Sequence, residues 1–252
     1  IMICWNEVIS IPLLEDITHY IASEILYLPH ELKQEIIKAI HNLLTLNIVE
    51  LGVTGLKIKH DLLYLSYISK YNTVPEALLY NKLYDYINLN KEKIIETYSQ
   101  TFFNLNNALY SYYANHTSWV QNNLECLKML MAQSDYRNIA IIINRLEKSF
   151  AEMNANDLIL LAECFYNCGK YEKARNILNY SFSKLSNDEE YFKYYYLSGK
   201  IYNIILDKNN AEKELLLAKK YIQPGTDKEI LVKHMLQLVI VEVVGRKQEA
   251  KE

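Results

Sequence analysis

Residues 155–186, ANDLILLAECFYNCGKYEKARNILNYSFSKLS, decide how this chain is read. Leu158, Leu161, Ala162 and Phe165 recur at helical spacing, and Tyr171, Ala174, Leu178 and Ser181 resume the pattern after a break. The break holds Gly169, a residue that tolerates the left-handed backbone with which many helices end. Two helices around a tight turn are therefore predicted. Ala174 is short where the second helix has to cross the first, and a close crossing requires a short side chain at the contact.

This segment resembles a tetratricopeptide (TPR) repeat. Leu158 stands where that family usually has Trp, Leu161-Ala162 where it has Leu-Gly, and Phe165 at its first Tyr. Gly169-Lys170-Tyr171 form the turn, and Ala174 is the small residue of the second helix. With Gly199 at the family's small position, Tyr202, Ala211, Leu215 and Ala218 fall at the expected offsets and Pro224 closes the unit. SDYRNI places Tyr136 and Ile139 likewise, and GRKQEA repeats the turn at Gly245 with Ala250 five residues later. Repeat starts fall near 120, 155, 192 and 231, so a degenerate array over 119–252 is expected. Leu127 and Leu238 at a usually small position, and Ile139 in place of alanine, are departures from the family pattern.

The resemblance implies a mainly α fold in which the repeats wind into a right-handed superhelix whose first helices line a concave face. A protein or peptide ligand would bind there. Carried over residue by residue, the family's contact positions are Glu163, Tyr166 and Asn167 in one repeat and Tyr196, Lys200 and Asn203 in the next. The alternative for these six is a merely solvated face. Each repeat covers its apolar face only with its neighbour. Leu231, Leu238 and Val241 are therefore expected to be partly uncovered at Glu252, and the natural protein is expected to continue.

The first part of the chain changes character. ELKQEIIKAIHNLLTL carries a helical apolar stripe, and NIVEL and LKIKH are short β-forming segments flanking the turn GVTG. Helix, strand, glycine turn, strand, helix is the order of a winged helix, with ITHYIASEILYLP supplying an earlier helix. We place a small winged-helix-like unit at 1–72 with one β-hairpin near 47–60, and a helical connector at 73–118. Its recognition helix has Glu31, Lys33, Glu35 and Lys38 in balance, which favours contact with protein over DNA.

His60 and Asp61 stand where the second strand gives way to an apolar helix. One reading is local: a histidine at a strand exit and an aspartate as N-cap. The other is a resemblance, since IKHDLLYLSYI is similar to the His-Asp-Leu-Leu motif closing the winged helix of STAND-class, NLR-like signalling ATPases. His60, Asp61, Leu62 and Leu63 match, with Lys59 replacing the usual methionine. That resemblance implies that His60 contacts ADP held, with Mg, on an upstream nucleotide-binding domain. Ligand binding to the array would then release an ADP-held off state and allow oligomerisation, as in bacterial antiphage defence. The competing reading is a stand-alone TPR scaffold or receptor, such as part of a transcription regulator.

Composition excludes other classes. Six glycines and four prolines in 252 residues favour long helices over a many-stranded sheet, and a net charge of −3 gives no nucleic-acid footprint. No apolar run approaches a membrane span and the amino terminus lacks the basic-then-apolar pattern of a signal peptide, so a cytoplasmic location is expected. Cys4, Cys126, Cys164 and Cys168 read as free thiols, with no histidine at ligand spacing. No GxxxxGK[ST] loop, nucleophile elbow or carboxylate cluster occurs, so neither catalysis nor a metal is expected in this segment. The chain begins with Ile1 rather than methionine, which suggests an excised fragment whose ATPase module would lie upstream.

Overall fold

The computed structural model describes residues 9–22, 29–45, 49–51, 56–58 and 76–242, which are mainly helical. They fall into two compact units, Ile1–Cys126 and Leu127–Glu252. No helix among the described residues is long and apolar enough to cross a membrane.

The first unit contains α1 (Ile11–Ala22), α2 (Pro29–Thr45), β1 (Val49–Leu51), β2 (Leu56–Ile58), α3 (Glu76–Leu89), α4 (Lys91–Thr97) and α5 (Gln100–Tyr113). The strands pair antiparallel with Val49 opposite Ile58 and Leu51 opposite Leu56, within the stretch where a hairpin is expected. They form the one sheet among the described residues. Residues 59–75, with His60 and Asp61, lie outside the described residues.

Spacing explains the core of this unit. Leu13, Leu14 and Ile17 of α1 share a face and meet Leu83, Tyr86 and Ile87 of α3 and Phe102, Phe103 and Tyr110 of α5. Tyr20 meets the Tyr86 ring edge-on at 5.5 Å. Burial, with Asp16 and Tyr98 nearby, pushes the Tyr86 phenol up to about 12, as expected of a tyrosine filling a seam rather than donating protons. Ser99 starts α5, its hydroxyl accepting the Phe102 N–H at 3.0 Å.

Helix α6 (Trp119–Gln133) carries the boundary between the units. Beyond it the second unit is built of hairpins: α7 (Tyr136–Leu146), α8 (Ala155–Asn167) with α9 (Tyr171–Ser181), α10 (Asp188–Ile204) with α11 (Lys208–Lys219), and α12 (Asp227–Glu242). Short 3-10 turns at Phe150–Glu152 and Phe182–Lys184 link successive hairpins.

Within the second unit one turn is used three times, and the first unit uses it once, at Asn115 (φ 54°), where His116 donates its N–H to the Ser111 carbonyl. Ser134, Gly169 and Leu206 all take the left-handed backbone, at φ 56°, 74° and 65°. In each case the next residue donates its N–H to the carbonyl five positions back: Asp135 to Leu130, Lys170 to Phe165 and Asp207 to Tyr202, at 2.9–3.0 Å. This closes the preceding helix and satisfies a carbonyl otherwise left open. Asp135 and Asp207 then cap the following helix, accepting the N–H groups of Asn138 and Asn210 at 3.2 Å. Five residues after each left-handed position stand Ile139, Ala174 and Ala211, all fully buried. Of these three turns only Gly169 is marked by glycine in the sequence, and Ser134 and Leu206 adopt the same conformation at an energetic cost. Gly245 and Ala250, where the turn is also expected, lie outside the described residues.

Polar links tie one hairpin to the next. The Asn156 amide donates to buried Glu190 at 2.7 Å, and the other oxygen of that carboxylate accepts the Ser186 N–H at 2.8 Å. Lys184 donates to the carbonyl oxygens of Phe150, Ala151 and Met153, gathering the turn ahead of α8. On α12, Val232 and Val239 are buried whereas Leu231 and Leu238 are 50% and 42% exposed. Val241 has no described side chain.

Candidate recognition face

Four of the six residues expected to meet a ligand converge. Glu163 and Tyr166 lie one helical turn apart on α8, and Tyr196 and Lys200 do so on α10. The Lys200 ammonium lies 4.7 Å from the centre of the Tyr166 ring and 5.8 Å from that of Tyr196. All four are half-buried, whereas Leu158, Leu161, Leu197 and Ile201 on the same helices are buried. The helices thus present distinct packing and open faces.

Three of the four sense one another electrostatically. Burial raises the Tyr166 phenol, with Tyr171 and Tyr196 adding to it. Burial also raises Tyr196, and the nearby Glu163 carboxylate adds to it. Tyr196 does structural duty as well, since it stacks on Phe192 at 5.7 Å and packs against two core clusters. Tyr166 meets the Tyr171 ring edge-on at 5.6 Å.

The remaining two residues are engaged elsewhere. The Asn167 amide reaches Met131 Sδ at 3.7 Å, and the Asn203 side-chain oxygen accepts from Lys208 at 2.7 Å beside the α10 terminus. Asn203 therefore fixes a turn, and Asn167 faces α6. His60, expected to touch a nucleotide, lies outside the described residues.

Two concavities of this unit lie apart from the quartet. One of about 440 Å³ is lined by Asn209, Glu212, Lys213, Leu216, Leu217 and Lys220, and one of about 130 Å³ by Tyr171, Glu172, Arg175, Ile201 and Ile205. Neither is lined by Glu163, Tyr166, Tyr196 or Lys200. Among the described residues no group of three His, Cys, Asp or Glu side chains could hold a metal ion. Cys164 is buried and its thiol is pushed up by that burial, the state of an inert packing residue.

Two features had no counterpart in sequence reasoning. Tyr191 and Tyr195 of α10 stack on Tyr221 at 5.1 and 5.7 Å, and exposed Phe182 meets Tyr194 at 5.2 Å. The run YFKYYY is the signal for this ladder, since it places aromatics all round one helix. In the first unit, Ser118 Oγ lies 2.7 Å from His116 Nδ1 and 3.1 Å from the Tyr84 hydroxyl. His116 Nδ1 also accepts the Ser118 N–H at 3.2 Å, which makes the group a stop between two helices.

No family model, no curated protein and no solved structure matches this chain.

Proposed function

We propose that this chain is the regulatory and ligand-sensing part of a cytoplasmic STAND-type signalling ATPase, and that its second unit takes up a protein or peptide segment. One observation carries the recognition reading: Glu163, Tyr166, Tyr196 and Lys200, from the first helices of adjacent hairpins, meet on a half-buried face. Tyrosines held by neighbours lose little entropy on binding, and mixed aromatic and charged surfaces of this kind recognise polypeptides. The recurrence of one turn at Ser134, Gly169 and Leu206 supports a TPR-like array as its scaffold.

The ATPase part of the proposal rests on the sequence at His60, Asp61, Leu62 and Leu63. In this reading the segment is not itself catalytic. An upstream domain holds ADP with Mg, His60 secures the off state, and ligand capture releases it for oligomerisation in a defence response. His60→Ala in the full-length protein tests this by ADP retention through gel filtration. Loss of ADP is expected, because a charge-assisted hydrogen bond to phosphate contributes about 1.5–3 kcal/mol. Unchanged retention would leave the stand-alone protein-binding scaffold as the better account.

A further inference from the structure

The inference here rests on the polypeptide-recognition reading above and concerns which side chain the face accepts. The Lys200 ammonium occupies the space over two tyrosine rings, and among the described residues no carboxylate pairs with it. Glu163, close enough to Tyr196 to raise its phenol, likewise has no cation partner among them. Their neighbours are engaged differently: Lys128 pairs with Asp157 at 3.8 Å, and Lys193 and Lys228 both pair with Glu189. Among the described residues, Lys200 and Glu163 are thus left without an ion-pair partner beside the Tyr166 and Tyr196 rings.

Ring faces carry negative potential, and a carboxylate beside them adds to it, so the cluster selects positive charge. We infer that an arginine of the partner polypeptide takes the place of Lys200 over Tyr166 and Tyr196, with Glu163 as its counter-ion. A guanidinium is planar and more weakly hydrated than an ammonium, so it stacks on the rings at less desolvation cost and offers a forked donor to the carboxylate. The displaced Lys200 has a flexible stem and returns its ammonium to water. An acidic partner side chain would instead need Lys200 as its contact and would be repelled by Glu163. The two kinds of partner must therefore respond with opposite sign to removal of Lys200.

The test uses a phage-displayed random peptide library selected on the intact chain. Selected peptides are resynthesised with each arginine as arginine or citrulline, and binding is measured by fluorescence anisotropy. Arginine is expected at one recurrent position, with citrulline weakening binding by about tenfold. Lys200→Ala should tighten binding several-fold and Glu163→Gln should weaken it, with both variants first shown to melt cooperatively. Weaker binding in Lys200→Ala, or affinity indifferent to citrulline, overturns the arginine assignment while leaving polypeptide recognition in place. Selection of no peptide overturns both.

Discussion

Gly199 and Leu215 approach so closely that a β-carbon on the glycine would lie 2.6 Å from the leucine Cγ, and 3.3 Å from the Ala211 carbonyl oxygen. Helices α10 and α11 therefore cross with backbone against side chain. Gly199→Ala should lower stability even though alanine is ordinarily the better helix residue by about 1 kcal/mol, because overpacking costs about 1–3 kcal/mol. Urea titration should show a net loss of up to about 2 kcal/mol. In a double-mutant cycle with Leu215→Ala, the two changes should be less harmful together than summed, because the truncation removes the clashing atoms. Strict additivity would mean that the crossing can relax.

The three repeated turns make opposite predictions at different residues. Leu206 is 76% exposed at φ 65°, so Leu206→Gly gives up little burial and relieves a left-handed backbone. It should stabilise the unit by about 0.5–1 kcal/mol. Gly169→Ala, at φ 74° with open space around the new methyl, should destabilise by about 1 kcal/mol from backbone strain alone. Thermal melts that move in the same direction for both variants would contradict this account.

The contrast between these turns shows what sequence reveals here. Helical periodicity exposed the packing faces, because burial of Leu158, Leu161 and Phe165 leaves an apolar mark every three or four residues. Glycine exposed the turn only where evolution had used it. Ser134 and Leu206 adopt the same conformation, and their cost is met by the Asp135 and Asp207 caps and by tertiary packing, which no local pattern records. For the same reason Lys200 was legible as a face residue but not as a cation over two rings. Its neighbour Tyr166 lies 34 positions away in sequence, on another helix.

Glu190 should matter more than its place at a helix start suggests. It is only 6% exposed, and its oxygens accept from Asn156 on the preceding hairpin and from Ser186. Glu190→Ala leaves the Asn156 amide and the Ser186 N–H without their acceptor, which should cost about 2–3 kcal/mol. Glu190→Gln keeps one acceptor oxygen and should cost less. Hydrogen exchange should place the difference at the first turns of α8 and α10. A loss confined to α10 would show that the link to Asn156 contributes nothing.

Glu214 gives the pH dependence. Burial holds its carboxyl above the usual range, and the Ser198 hydroxyl and Lys213 only partly counter this. The folded state therefore binds this proton more tightly than the unfolded chain does. The stabilising contribution is complete below the ordinary glutamate value of about 4.3 and is lost as pH rises through the raised folded value. Glu214→Gln removes the buried charge and keeps an oxygen for Ser198. It should raise the melting temperature at neutral pH, with the gain shrinking to nothing near pH ~4. The same change should lower the Tyr194 phenol from about 12, because Glu214 is one of the charges that raises it after burial. Calorimetry across pH and ultraviolet titration of tyrosine read the two effects separately. A melting temperature unchanged at neutral pH, with Tyr194 shifted, would mean that Glu214 already takes up water enough to ionise without cost.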